Sequence, residues 1–229
     1  MKTETNLDAI KETSKLLFNA VPIEESEFSI VIHPYVNSLY NFNPETGKMI
    51  DLQKPEELKA YKEKLFEFLD AGDIYRILGM VNSGWKMTWF KYCSQFMNQK
   101  DFGELLAYCW VQQENPNQDA NVSRQEAVEY FREAKKRYLM EPEDYKVYKS
   151  LPDVVTVYRG VAKGRERYGL SWTANRDKAE WFQTRFKGDN YLLKADVPKQ
   201  SILAYFNTRD EDELVVDVFS IMDKIKEVK

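Results

Sequence analysis

Apolar residues open the chain at helical spacing. Leu7, Ile10, Leu16, Leu17 and Val21 recur along one side of an amphipathic helix. "EFSIVIHPYV", 27–36, is β-branched enough to predict a strand, with Pro34 confining it to an edge or an end. Pro55 suits the first turn of a helix that runs through "EELKAYKEKLFEFLDAG" and stops near Gly72. Residues 73–98, with Trp85, Trp89, Phe90 and Phe96, read as buried helix broken around Gly84. "DFGELLAYCWVQQ" predicts a further helix and "ENPNQDAN" a polar loop. Ser123 and Glu126 then form a capping-box signature that opens "RQEAVEYFREAKKRYLM".

Near Pro142 the pattern changes. "VVTVYRGV", "GLSWT", "NYLLKADV", "SILAYF" and "ELVVDVFSI" are short β-branched or aromatic runs separated by turn residues. A single helix, about 176–186, interrupts them, with Asn175 as its candidate cap. The expectation is an α+β protein, with a mostly helical region over 1–145 and a β-rich part over 146–229.

Composition narrows the chemistry. The 229 residues carry a net charge of −4, which gives no field for a nucleic-acid backbone without a local basic patch. "REAKKR", 132–137, alternates cations with Glu133 on a helical pattern and reads as a solvated face, so nucleic acid is not an expected partner. His33 is the only histidine, which excludes HExxH and multi-histidine metal sites and leaves a structural role for it. Cys93 and Cys109 lack CxxC spacing and read as reduced packing residues, so no metal is expected. The start "MKTETNLDAIKE" is too polar for a signal peptide, and no run of about eighteen apolar residues could span a bilayer. A cytoplasmic protein is the expectation.

Three short stretches in the β-rich part could carry chemistry. In "VVTVYRGV" the alternation puts Val155, Val157 and Arg159 on one face, and Gly160 follows where the strand would leave its sheet. A guanidinium there could grip a phosphate or diphosphate with paired donors. In "LSWT", Ser171 and Thr173 share a face while Trp172 takes the other. In "NTRDEDELVVD", Glu211 and Glu213 are two apart at the start of a strand, which would aim both carboxylates to one side, about 7 Å apart at the α-carbons. Asp210 and Asp212 add to that negative charge. Taken singly, these are a surface arginine, a sheet edge with two hydroxyls and a solvated acidic turn. No P-loop or GxSxG is present, and the glycines at 160, 164 and 169 have the wrong spacing for GxGxxG.

Taken together, Arg, then Ser-x-Thr, then Glu-x-Glu, in that order and each at a strand, resembles the arginine–serine–glutamate class of mono-ADP-ribosyltransferases, the fold of arginine-modifying toxins and phage-encoded transferases. The matching segments cover roughly 154–217. The resemblance implies a core of two small sheets, with "LSWT" as the middle strand of an NAD cleft and the following helix backing it. It implies that Arg159 and Gly160 anchor NAD, and that Ser171 orients the catalytic Glu213, with Trp172 and Thr173 in the same cofactor-binding strand. It implies that Glu211 contacts an acceptor arginine on a protein target, with Tyr205 and Phe206 in a substrate-recognition loop. The usual Ser-Thr-Ser is Ser-Trp-Thr here, and the compact Arg159–Glu213 spacing leaves peripheral strands to come from elsewhere, such as 27–36. Two other readings stay open: a catalytically inactive interaction protein on the same fold, and an NAD glycohydrolase with water as acceptor.

Overall fold

A computed structural model describes residues 3–44 and 46–228. The chain forms two compact units, one of 1–98 with 112–114, the other of 99–111 with 115–229. Among the described residues the architecture is α+β, with nine α-helices and two antiparallel sheets. None of these helices is long and apolar enough to cross a membrane.

The first unit contains α1 (Leu7–Ala20), the hairpin β1 (Tyr40–Asn43) and β2 (Lys48–Asp51), α2 (Pro55–Ala71), α3 (Ile74–Met80) and α4 (Lys86–Cys93). Asn6 caps α1 by accepting from the Ala9 amide, and Ile10, Leu17 and Phe18 are its buried positions. From α4, the Trp89 indole donates to Ser14 Oγ at 2.9 Å, so a buried tryptophan docks on α1 with its polar atom satisfied. His33 is buried between backbone groups: Nδ1 accepts from the Tyr35 amide at 3.1 Å and Nε2 lies 3.0 Å from Phe18 O. The strand expected over 27–36 does not form. That stretch makes one isolated bridge, Glu25 with Val31, and it does not join the larger sheet. Ser29 at φ 55° turns the chain within it, and Pro34 has no N–H to give a neighbour. The sheet of this unit lies instead at 40–51.

The second unit begins at Gln99, well before the change of texture near Pro142. It contains α5 (Gln99–Gln112) up to Val111, then α6 (Arg124–Glu133), α7 (Lys136–Leu139) and α8 (Pro142–Ser150). The strands are β3 (Val154–Val161), β4 (Ser171–Thr173), β5 (Tyr191–Pro198), β6 (Ile202–Phe206), β7 (Glu213–Val216) and β8 (Lys226–Val228), with α9 (Arg176–Thr184) between β4 and β5. The capping box of Ser123 and Glu126 opens α6 as expected. Arg132, Glu133, Lys135 and Arg137 of the stretch 132–137 are exposed, as expected, but they do not lie on one continuous helix. α6 ends at Glu133, Ala134 is extended, and Lys136 Nζ turns inward to donate to Phe131 O at 2.8 Å and Leu203 O at 2.6 Å. Burial lowers the Lys136 pKa to about 8. Arg132 pairs with the buried carboxylate of Asp217.

The strands of this unit are antiparallel and make one sheet in the order β6-β7-β4-β3-β5-β8, not two small sheets. The joint is β7, which pairs with β4 on one side and β6 on the other, with a register irregularity at 202–204. α9 is capped by Asn175, whose side chain accepts from the Lys178 amide. The helix lies against β3 so closely that a Cβ on Gly160 would land on the Ala179 carbonyl oxygen.

Candidate functional site

Three adjacent strands carry Arg159, Gly160, Ser171, Trp172, Thr173 and Glu213. β4 lies between β3 and β7, so the Ser-Trp-Thr triplet is a middle strand. Thr173 sits opposite Glu213 and Ser171 opposite Val215, which puts Ser171, Thr173 and Glu213 on one face. β3 and β4 share a single registered pair, Tyr158 with Thr173, and then part. Arg159 follows at the point where they part.

The guanidinium of Arg159 ties the loop between these strands to the start of β4. It donates to Ser171 O at 2.7 Å, Glu166 O at 2.8 Å and Arg167 O at 3.4 Å. Burial pulls its pKa down to about 10, against the opposing fields of the Glu213 and Glu166 carboxylates. A Cβ at Gly169 would meet the guanidinium, so the glycine lets Arg159 take this position. Arg124 reinforces the same loop, bonding Tyr168 O and pairing with Glu166 at 3.2 Å.

Glu213 is half-buried, and its Oε1 accepts from the Trp110 indole at 2.9 Å. Trp110 is fully buried on α5 and meets Phe131 edge-on at 5.0 Å. Ser171 has a different partner from the expected one. Its hydroxyl pairs with the Asn117 carboxamide at 3.2 Å, and the same carboxamide accepts from the Leu170 amide at 2.6 Å. Trp110 thus holds the glutamate in the way expected of Ser171, while Asn117 holds the serine. Neither was singled out from sequence. Trp110 belongs to an aromatic helix that reads as core, and Asn117 to a polar loop.

Other expected site residues have packing roles. Gly160 is covered by α9. Trp172 is buried and donates its indole N–H to Gly169 O at 2.9 Å. Thr173 is buried, and its hydroxyl accepts from the Asn175 amide at 3.1 Å, which shapes the turn into α9. Tyr205 and Phe206 are not in a loop. They end β6, where all five residues are buried. Tyr205 donates its hydroxyl to Asp212 at 2.7 Å, and burial raises its pKa.

The acidic turn also differs from its expected geometry. β7 begins at Glu213, so Glu211 lies before the strand, and Asp210 and Asp212 have φ of 55° and 48°. The period-2 argument for two parallel carboxylates therefore fails at Asp212, because a left-handed residue breaks the alternation. Lys178 of α9 stabilises the turn, reaching Asp212 at 2.8 Å and Asp210 at 3.2 Å. That cation and the Tyr205 hydroxyl hold the Asp212 pKa below the ordinary range. Glu211 pairs with Arg209 at 3.4 Å.

Protein-family models, curated proteins and solved structures were all compared with the chain. None matches. The site therefore has to be read from its own geometry.

Proposed function

We propose that the protein is an NAD-dependent mono-ADP-ribosyltransferase that modifies arginine on a protein acceptor. One observation supports this reading: Arg159, Ser171 and Glu213 stand on three neighbouring strands, with Ser171 and Glu213 on one face of the sheet. An arginine, a hydroxyl and an anchored carboxylate are the groups that diphosphate binding and stabilisation of a ribosyl cation require.

In this reading the bond between ribose C1′ and the nicotinamide nitrogen breaks, and the electron pair leaves with neutral nicotinamide. Glu213 accepts from the ribose 2′-hydroxyl and meets the positive charge that develops on the ring, as carboxylates do in glycoside cleavage. Trp110 fixes that carboxylate through one oxygen, which leaves the other for substrate. Glu211 takes the proton that the acceptor guanidinium gives up as its nitrogen bonds to C1′. Arg159 spends part of its donor set on three carbonyls, and only the donors that remain are available to the diphosphate.

A second reading has its own support. The Arg159 and Ser171 hydrogen bonds to main chain and to Asn117 are those of a structural network, which suits an interaction protein without catalysis on the same scaffold. Incubation with NAD separates the two. Transferase activity predicts nicotinamide release, arginine adducts found by mass spectrometry of a lysate, and a loss of at least about a hundredfold in Glu213→Ala. Nicotinamide release without adducts identifies a glycohydrolase. No release from folded protein identifies the interaction protein.

A further inference from the structure

The apolar run expected as a strand over 27–36 holds three large side chains in solvent. Phe28, Ile30 and Ile32 are 83%, 57% and 61% exposed, while Val31 between the two isoleucines is buried. Internal bonds fix the turn that presents them. The Ser26 amide donates to Ile30 O at 2.9 Å, the Ser29 amide donates to Ser26 O at 2.9 Å, and Ser26 Oγ accepts from the Ile30 amide at 3.3 Å. Val31 and the buried run from His33 to Val36 root the turn in the core of the first unit. Single exposed apolar residues are ordinary, but three together on a fixed turn mark an interaction surface. The residues just before them are acidic. Glu24, Glu25 and Glu27 are exposed, and no lysine or arginine occurs over 21–32. Among the described residues, no cation pairs with these carboxylates and no ring or cation packs on Phe28.

We propose that Phe28, Ile30 and Ile32 dock a basic amphipathic helix of a partner protein, with Glu24, Glu25 and Glu27 meeting its lysines or arginines. The main chain favours a helix over an added strand. Ser29, at φ 55°, breaks the extended run, and Ile30 O is already taken by the Ser26 amide, so side chains have to do the recognising. A helix satisfies its own main chain and presents an apolar stripe with charged residues beside it. Charge disfavours the other occupants. A two-fold contact with a second copy uses the same patch twice and would bring two acidic runs together. An anionic bilayer would accept the apolar side chains but meet the carboxylates with like charge. The inference does not rest on the NAD reading, and all of its residues lie in the first unit.

The test uses the full chain and a fluorescein-labelled peptide of leucine and lysine at helical spacing, about 14 residues or four turns long. A counterpart with glutamate in place of lysine is the control. Anisotropy should show binding of the lysine peptide that weakens as salt rises, and no binding of the glutamate peptide. Phe28→Ser with Ile30→Ser should weaken binding at least about tenfold, as loss of a central apolar anchor does. Both positions are exposed, so urea unfolding should show the fold intact. Glu24→Gln with Glu25→Gln and Glu27→Gln should weaken binding several-fold and flatten its salt dependence. Removing three exposed carboxylates of the second unit, by Asp153→Asn, Asp189→Asn and Asp223→Asn, should leave it unchanged. The Ile30 and Ile32 methyl resonances should move on titration. The inference is overturned by unmoved methyl resonances, by unchanged affinity in either turn variant, or by equal binding of the glutamate peptide. Methyl shifts on concentrating the chain alone would overturn it in favour of a second copy, and tighter binding to phosphatidylglycerol vesicles in favour of a membrane.

Discussion

Trp110 and Glu213 are 103 positions apart in sequence, and one hydrogen bond of 2.9 Å joins them. A neutral donor on a carboxylate is worth about 1.5–3 kcal/mol when the acceptor is charged, so its loss should be visible. Trp110→Phe keeps the edge-on contact with Phe131 and removes the N–H. If Glu213 acts on NAD, this variant should lose about tenfold to a hundredfold in kcat with little change in KM, because Trp110 is buried and positions the glutamate without touching substrate. A structural readout tests the bond itself. The Trp110 indole N–H resonance should move in Glu213→Ala, and an unmoved resonance would remove Trp110 from the site. Arg159→Lys is a matching test of the loop. Lysine cannot serve three carbonyls in one plane, so this change should loosen 162–170 and weaken NAD binding together, as followed by amide exchange and calorimetry.

The close contact between α9 and β3 depends on the absence of a side chain at Gly160. A methyl group there meets the Ala179 carbonyl and the Gln183 amide, both main-chain atoms that cannot swing aside. Gly160→Ala should therefore cost about 3 kcal/mol, at the upper end for overpacking, as measured by urea unfolding. A loss under 1 kcal/mol would mean that the helix shifts freely on the sheet. This element-level constraint explains why a glycine follows Arg159 without calling on a ligand. The same helix also supplies Lys178 to the acidic turn before β7. Together with the Asn175 cap and the Thr173 turn, one short helix fixes β3, the end of β4 and the approach to Glu213.

At the scale of the whole molecule, the two units should respond differently to acid. His33, in the first unit, accepts through Nδ1 from a main-chain amide, and burial holds its pKa below 6.5, with the Tyr35 ring 6.4 Å away as its titratable neighbour. A lowered histidine pKa means that the folded state prefers the neutral ring. Its contribution to stability is therefore complete above about pH 6.5 and is lost as pH falls toward the folded-state value. Amides of the first unit should lose exchange protection over that window while β3–β7 keep theirs, and His33→Gln should flatten the dependence. Protection that falls equally in both units would assign the acid response elsewhere. The sequence by itself determined the helix limits around Pro55, Gly72, Ser123 and Asn175, the runs that became β3 to β7, and the α+β class. Each of these follows from local sterics, capping or periodicity. Only the tertiary structure decided that α5 to α8 belong with the sheet, that β7 joins its strands into one, and that residues 27–36 remain outside it. Pairing energy depends on which strand edge is free, and no single run of sequence encodes that. The site divides along the same line. That Arg159, Ser171 and Glu213 each lie on a strand was legible because each stands in a short patterned run, whereas the middle place of the Ser-Trp-Thr strand was only implied by the family resemblance. The partners that hold them, Trp110, Asn117 and the carbonyls of 166 and 167, come from distant segments whose patterns report only burial or a polar loop. The left-handed backbone at Asp212 then undid the expected pairing of Glu211 with Glu213, because one non-extended residue ends the two-residue repeat.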